Sequence, residues 1–260
     1  MIPSNKLKEA LAAHRRQIGL WCALANNVTA EIVAGSGFDW LLIDVEHSPN
    51  DLRSVMMQLQ AMAPYPVEPI VRLPNNDASL IKQFMDIGAR SLLLPCVDSV
   101  EEAKNIVAAT RYPSAGIRGV SLSQRANRYG RVPNYHQNAE RDICVVVQIE
   151  SLDAVNAAEA IASVEGVDAL FVGPSDLSTS MGYLIKPGVD VVQDAIVSVA
   201  AAARRAGKPV GILAPVEADA QRYLELGYTM VGVGSDQGLL TSASDQIAKR
   251  FKLPGLELAG

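Results

Sequence analysis

The sequence predicts an α/β fold, a (β/α)₈ TIM barrel. Eight short apolar runs recur along 260 residues, and amphipathic helical patterns fill the intervals between them. The length also suits a barrel that uses roughly 250 residues as one domain.

The runs are Ile18–Cys22, Trp40–Ile43, Pro69–Val71, Ser91–Leu94, Cys144–Ile149, Ala169–Val172, Pro209–Leu213 and Met230–Val233. Most are continuously apolar, as expected of parallel strands covered on both faces. The intervals read as helices. Leu80, Phe84 and Ile87 mark a barrel-facing stripe. Ser99 and Glu102 form a capping box ahead of Val100, Ala103, Ile106 and Val107. Val192, Ile196, Val199 and Ala203 share one face of a later helix. Gly88, Gly207 and Gly227 each follow a helical pattern, where a left-handed residue ends the helix. No G-x-G-x-x-G follows the first run, which counts against a dinucleotide-binding sheet. The expected organisation is one domain over residues 1–252 and a short tail over 253–260. The connection Arg111–Asp142 is long enough to be either functional or disordered.

Composition excludes several classes. The formal net charge of −5 disfavours a nucleic-acid partner. No apolar run approaches the ~20 residues of a membrane span, and the N-terminus carries no signal-peptide pattern. Cys22, Cys96 and Cys144 lie in apolar runs with no close pairing, so all three read as small core residues of a cytoplasmic protein.

Reactive residues of a TIM barrel collect where strands end. Here those positions carry Asp44-Val45-Glu46-His47, Arg72, Gln148-Ile149-Glu150 and Gly173-Pro174-Ser175-Asp176. Glu150 and Asp176 are either ligands of an oxygen-coordinated divalent metal or rim carboxylates bonded to helix N-termini. His47 is either a general base oriented by Asp44 or Glu46, or a structural histidine. Arg72 either polarises a substrate carbonyl or pairs with a rim carboxylate. Gly173, Pro174 and Ser175 open toward a helix whose amides suit an anion. Trp21 and Leu213 stand at other strand ends, as pocket walls or as rim packing. Asp86 lies about 200° around its helix from Phe84, facing away from the barrel. It pairs with Lys82 in solvent or faces another subunit.

Together, Asp44 to Asn50, Arg72, Tyr112-Pro113 with Gly116-Ile117-Arg118-Gly119-Val120, Gln148 to Glu150 and Gly173 to Ser178 resemble the HpcH/HpaI family of class II pyruvate aldolases. The likeness runs from Ile18 to Phe251. It implies a barrel of the phosphoenolpyruvate/pyruvate type with an exchanged C-terminal helix. It also implies retro-aldol cleavage of a 4-hydroxy-2-oxo acid to pyruvate and an aldehyde, dependent on Mg²⁺, Mn²⁺ or Co²⁺. By motif, Glu150 and Asp176 become the metal ligands, Arg72 the group that stabilises the enolate, and His47 with Asp44 the acid/base. Gln148, Gly173, Pro174 and Ser175 become substrate contacts. The resemblance further implies a homohexamer, a trimer of dimers, in which Asp86 reaches a neighbour's site. A sugar-acid aldolase with the same core is the alternative. A barrel that only binds a metabolite is disfavoured by the complete charged set.

Overall fold

The computed structural model describes residues 4–252, so the tail over 253–260 lies outside the described residues. The strands β1 (Gln17–Cys22), β2 (Trp40–Asp44), β3 (Glu68–Arg72), β4 (Ser91–Leu94), β5 (Cys144–Ile149), β6 (Ala169–Val172), β7 (Val210–Leu213) and β8 (Met230–Ser235) close into one parallel barrel in sequence order. Helix α1 (Lys6–Ala12) precedes β1; α2 (Asn27–Ala34), α3 (Leu52–Met62), α4 (Ala78–Asp86) and α5 (Val100–Thr110) follow the first four strands. Then come the short α6 (Tyr135–Asn138), α7 (Leu152–Ala162), α8 (Pro174–Ser180), α9 (Asp190–Arg205), α10 (Glu217–Glu225) and α11 (Asp236–Phe251). No described helix is long and apolar enough to cross a membrane.

Each apolar run of the sequence lies in a strand, except that Pro209 precedes β7. The differences sit at polar ends: Gln17, Glu68, Asp44 and Arg72 extend their ladders although none is apolar. The Ser99–Glu102 capping box forms, and Gly88, Gly207 and Gly227 all take positive φ. The buried stripe of α4 is Ile81, Phe84 and Met85, with Leu80 and Ile87 only partly buried beside it. Arg111–Asp142 is ordered. It contains two 3₁₀ turns and α6, and the buried Asn127 bonds the Gln124 and Gly130 amides and the Leu122 carbonyl.

Alternation along the strands separates two cores. Leu41, Ile43, Val145 and Val147 face the helices, whereas Trp40, Leu42, Ile70, Leu93, Val146 and Phe171 fill the barrel. Leu7 and Leu11 of α1 join the inner cluster. Within this inner cluster three rings pack against three glycines. Trp21, Trp40 and Phe171 pack edge-on or tilted, with centroids 5.6–6.5 Å apart. A Cβ on Gly19 would meet the Trp40 ring at 2.1 Å, on Gly211 Phe171 at 2.5 Å, and on Gly232 Trp21 at 2.5 Å. Small residues opposite large ones thus let the barrel close around the rings. One period beyond Leu42, Ile70 and Val146 the inward positions become Asp44, Arg72 and Gln148, which places a polar layer over the apolar and aromatic filling of the barrel.

The last helix departs from the barrel. Asp236 is buried and accepts from the Ala23 and Leu24 amides, which pins the start of α11 to the end of β1. Beyond it the helix is exposed on all sides, including Leu239, Leu240, Ile247 and Phe251.

Gly19→Ala forces a methyl group into the Trp40 ring in a closed layer. The expected loss is about 1–3 kcal/mol in denaturant unfolding. An unchanged midpoint would show that the ring layer yields without cost.

Candidate active site

The strand register builds the centre of the site. Asp44 pairs with Arg72 as neighbours across β2 and β3, and both side chains are buried at the barrel mouth. Arg72 donates from Nε at 2.9 Å and from Nη2 at 2.7 Å to the two oxygens of Asp44. Its third nitrogen, Nη1, lies 2.9 Å from Glu46 Oε2. The planar guanidinium is therefore fixed by a bidentate bond on one side and a second carboxylate on another. Burial alone would lower the Arg72 pKa, but the bonds and charges of Asp44, Glu46 and Glu150 outweigh it and hold it above the ordinary guanidinium value.

Glu46, which the strand-end motif offers only as a partner that orients His47, is itself part of the charged centre. It closes on Arg72 because the chain turns back after β2: the Asp44 carboxylate accepts from the Glu46 amide at 3.1 Å, and the Asp44 carbonyl accepts from Asn50 at 2.7 Å. Its carboxyl pKa is raised, chiefly by burial, with Arg72 opposing and Glu150 reinforcing the shift.

His47 stands differently from the simplest expectation. Asp44 accepts from its backbone amide at 3.4 Å, and the imidazole instead faces Glu46, with Nε2 at 3.9 Å. The ring is 64% exposed, so it is free to turn toward a molecule in the mouth.

Glu150 follows β5 and is buried. Its Oε1 accepts from the Cys96 amide at 2.6 Å, and its Oε2 accepts from Gln148 Nε2. The Gln148 Oε1 is buried and takes no hydrogen bond among the described residues. Gly173 leaves room for this pair: a Cβ would lie 2.7 Å from both Gln148 Nε2 and Glu150 Oε2. Gly173 leads into α8 with Pro174 at its first position, and Ser175 and Asp176 are exposed in its first turn. Proline lacks an N–H, so Ser175 and Asp176 supply the outward amides of that turn.

Cys96 corrects the reading of the cysteines. Cys22 and Cys144 are buried, but Cys96 is exposed. A left-handed φ of 51° just past β4 turns it out of the core onto the mouth. Partial burial, then the bond and charge of Glu150, push its thiol up to about 12.

Among the described residues, Glu46, Cys96 and Glu150 offer donor atoms all within 4.8 Å of one another. The three carboxylates Asp44, Glu46 and Glu150 face a single guanidinium, an excess of negative charge in a buried setting. That charge, the grouped donors and the unpartnered Gln148 oxygen fit a divalent cation. Asp176 lies outside this three-donor group.

Trp21 and Leu213 belong to the aromatic floor. A Cβ on Gly232 would touch both, and Trp21 is buried against Trp40 and Phe171. Asp86 sits apart, at the end of α4. Its partner is Arg118 of the long connection at 2.7 Å, not Lys82. Arg118 is 0% exposed and lies over the Tyr112 ring, 4.6 Å from its centroid. The pair ties the Gly116–Val120 motif to α4.

Gly173→Ala displaces Glu150 and Gln148 while leaving the barrel core untouched. Mn²⁺ binding, read by electron paramagnetic resonance, should weaken about 10–100-fold with no loss of thermal stability. Unaltered binding would separate this loop from the cation.

The family model described as HpcH/HpaI aldolase/citrate lyase matches residues 17–243. The chain is 50% identical over 248 residues to a 5-keto-4-deoxy-D-glucarate aldolase of Klebsiella pneumoniae, covering 95% of this chain and 97% of that one. It is 52% identical over 248 residues to a 4-hydroxy-2-oxo-heptane-1,7-dioate aldolase of Salmonella heidelberg, covering 95% and 94%. The crystal structure of an HpcH/HpaI aldolase/citrate lyase family protein from Burkholderia cenocepacia superposes with a TM-score of 0.93 at 40% identity, covering 95% and 99%. With the mouth of the barrel carrying the matched motifs, the chain belongs to the HpcH/HpaI aldolase/citrate lyase family.

Proposed function

We propose that this aldolase cleaves 4-hydroxy-2-oxo acids, such as 4-hydroxy-2-oxoheptanedioate, reversibly to pyruvate and an aldehyde. The observation that carries the reading is the buried Arg72, clamped by Asp44 and Glu46 beside Glu150. A fixed guanidinium suits the 2-oxo group, where negative charge develops. Among the described residues no strand ends in lysine, which argues against a Schiff base as the electron sink there.

In this reading the Ser175 and Asp176 amides receive the substrate carboxylate at the start of α8. Arg72 bonds the C2 oxygen. His47 takes the proton from the C4 hydroxyl, the C3–C4 bond breaks, and the aldehyde forms at C4. The electron pair passes to C3 and is shared with the C2 oxygen as an enolate, where Arg72 holds it. A proton returned to C3 gives pyruvate. Glu150 and Asp176 would hold the divalent cation, Mg²⁺, Mn²⁺ or Co²⁺, which supplies a Lewis acid for the 2-oxo acid. Asp44 is a positioning residue for Arg72. Gln148 holds Glu150, and Gly173 and Pro174 shape the carboxylate pocket.

A second substrate reading, a 2-dehydro-3-deoxy sugar acid of the glucarate or rhamnonate type, is favoured by the 50%-identical glucarate-type relative. Both readings share the pyruvate half and differ in the aldehyde. The exposed α11 further supports assembly: Leu239, Leu240 and Ile247 would cover a second copy in an exchanged-helix homohexamer, a trimer of dimers. Asp86, anchored by Arg118, would lie on a subunit boundary.

Incubation with a panel of 4-hydroxy-2-oxo acids and sugar acids, scored by released pyruvate, tests the function. Pyruvate should appear with added Mg²⁺, Mn²⁺ or Co²⁺ and cease with a chelator. Release from no acid would refute the reading, and the preferred acid separates the two substrate classes. Arg72→Ala should lower kcat about 10²–10³-fold and His47→Ala about 10²–10⁴-fold; wild-type rates in either would remove its assigned role. Leu239→Asp combined with Leu240→Asp should shift the native mass, read by light scattering, toward smaller species. An unchanged mass would place the subunit contacts elsewhere.

A further inference from the structure

We infer that Cys96 is a thiolate ligand of the divalent cation in this site, and that it biases the site toward Co²⁺ and Zn²⁺ over Mg²⁺. The inference rests on the cation-dependent reading above and adds a donor to it.

Three observations carry it. The Cys96 sulfur groups with one oxygen each of Glu46 and Glu150, all within 4.8 Å of one another. This spread lets one cation touch all three donors. The Cys96 backbone amide also donates to Glu150 Oε1 at 2.6 Å, so the residue that carries the thiol fixes the neighbouring carboxylate. Finally, the Gln148 carboxamide that bonds Glu150 Oε2 carries a buried Oε1 with no partner among the described residues. A buried amide oxygen without a donor is costly, and a cation or its water relieves that cost. This oxygen points to a ligand independently of the cysteine.

Donor softness supplies the selectivity. Carboxylate and amide oxygens alone suit Mg²⁺ and Mn²⁺, whereas a thiolate favours Co²⁺ and Zn²⁺. As the sulfur–metal bond forms, the S–H bond breaks and its proton leaves to solvent. No electron is transferred. The remaining cysteines cannot substitute: Cys22 and Cys144 are buried in the core.

The test is a Co²⁺ titration of chelator-stripped protein, followed by near-ultraviolet absorbance. Wild type should develop a sulfur-to-cobalt charge-transfer band that saturates at one cobalt per chain. Cys96→Ser and Cys96→Ala should bind cobalt without that band. Their Co²⁺-over-Mg²⁺ preference, measured by competition with Mn²⁺, should fall at least about tenfold. Because Cys96 is exposed, both variants should keep the wild-type melting temperature. Cobalt binding with no charge-transfer band in wild type, or with the same band and preference in all three proteins, overturns the thiolate ligand while leaving the cation site intact. Failure of wild type to bind cobalt, Mn²⁺ or Mg²⁺ overturns the cation-dependent reading and the thiolate with it.

Discussion

The pairing of Asp44 with Arg72 is the constraint on which the mouth of this barrel depends. Two charges lie buried, and neither is tolerable there without the other. The β2–β3 register sets them side by side, so the ion pair follows from the same alternation that buries Leu42 and Ile70 below. The pair determines how much charge remains: once Asp44 is committed to Arg72, Glu46 and Glu150 bring a negative excess to the mouth. That excess favours a cation. The aromatic floor of Trp21, Trp40 and Phe171 adds a low-dielectric base, which strengthens each polar interaction above it.

The site divides into a rigid half and an open half. Arg72, Asp44, Gln148 and Glu150 are buried and bonded to one another or to backbone, with Gly173 giving them room. The imidazole of His47 and the first turn of α8 are open to solvent. In the proposed reading the buried half together with the start of α8 would hold the 2-oxo acid, and the open mouth beside His47 would take the aldehyde. The similar identities to relatives named for a heptanedioate and for a deoxyglucarate accord with that division.

Much of this was legible in the sequence because strand ends carry the chemistry and apolar runs mark the strands. Asp44, Arg72, Gln148 and Glu150 meet at one end of the barrel as their positions implied. What the sequence hid depends on contacts between distant segments. Glu46 closes on Arg72 only through the turn after β2. Cys96 has apolar neighbours and reads as core, yet a positive φ carries it to the surface. Arg118 stands in a recognised motif, but its burial against Tyr112 and its bond to Asp86 come only from the fold. Asp86 likewise takes a partner 32 residues away, whereas helical spacing suggested Lys82. The same distant contacts order the long connection, whose composition alone left disorder open.

The central claim is that the mouth stabilises a pyruvate enolate. It is tested most directly without any aldehyde, by following the methyl protons of pyruvate in D₂O by NMR with enzyme and Mn²⁺ or Co²⁺ present. The predicted result is enzyme-dependent exchange of those protons for deuterium, lost in Arg72→Ala. Absence of exchange in an enzyme that binds pyruvate, or equal exchange in Arg72→Ala, would contradict it.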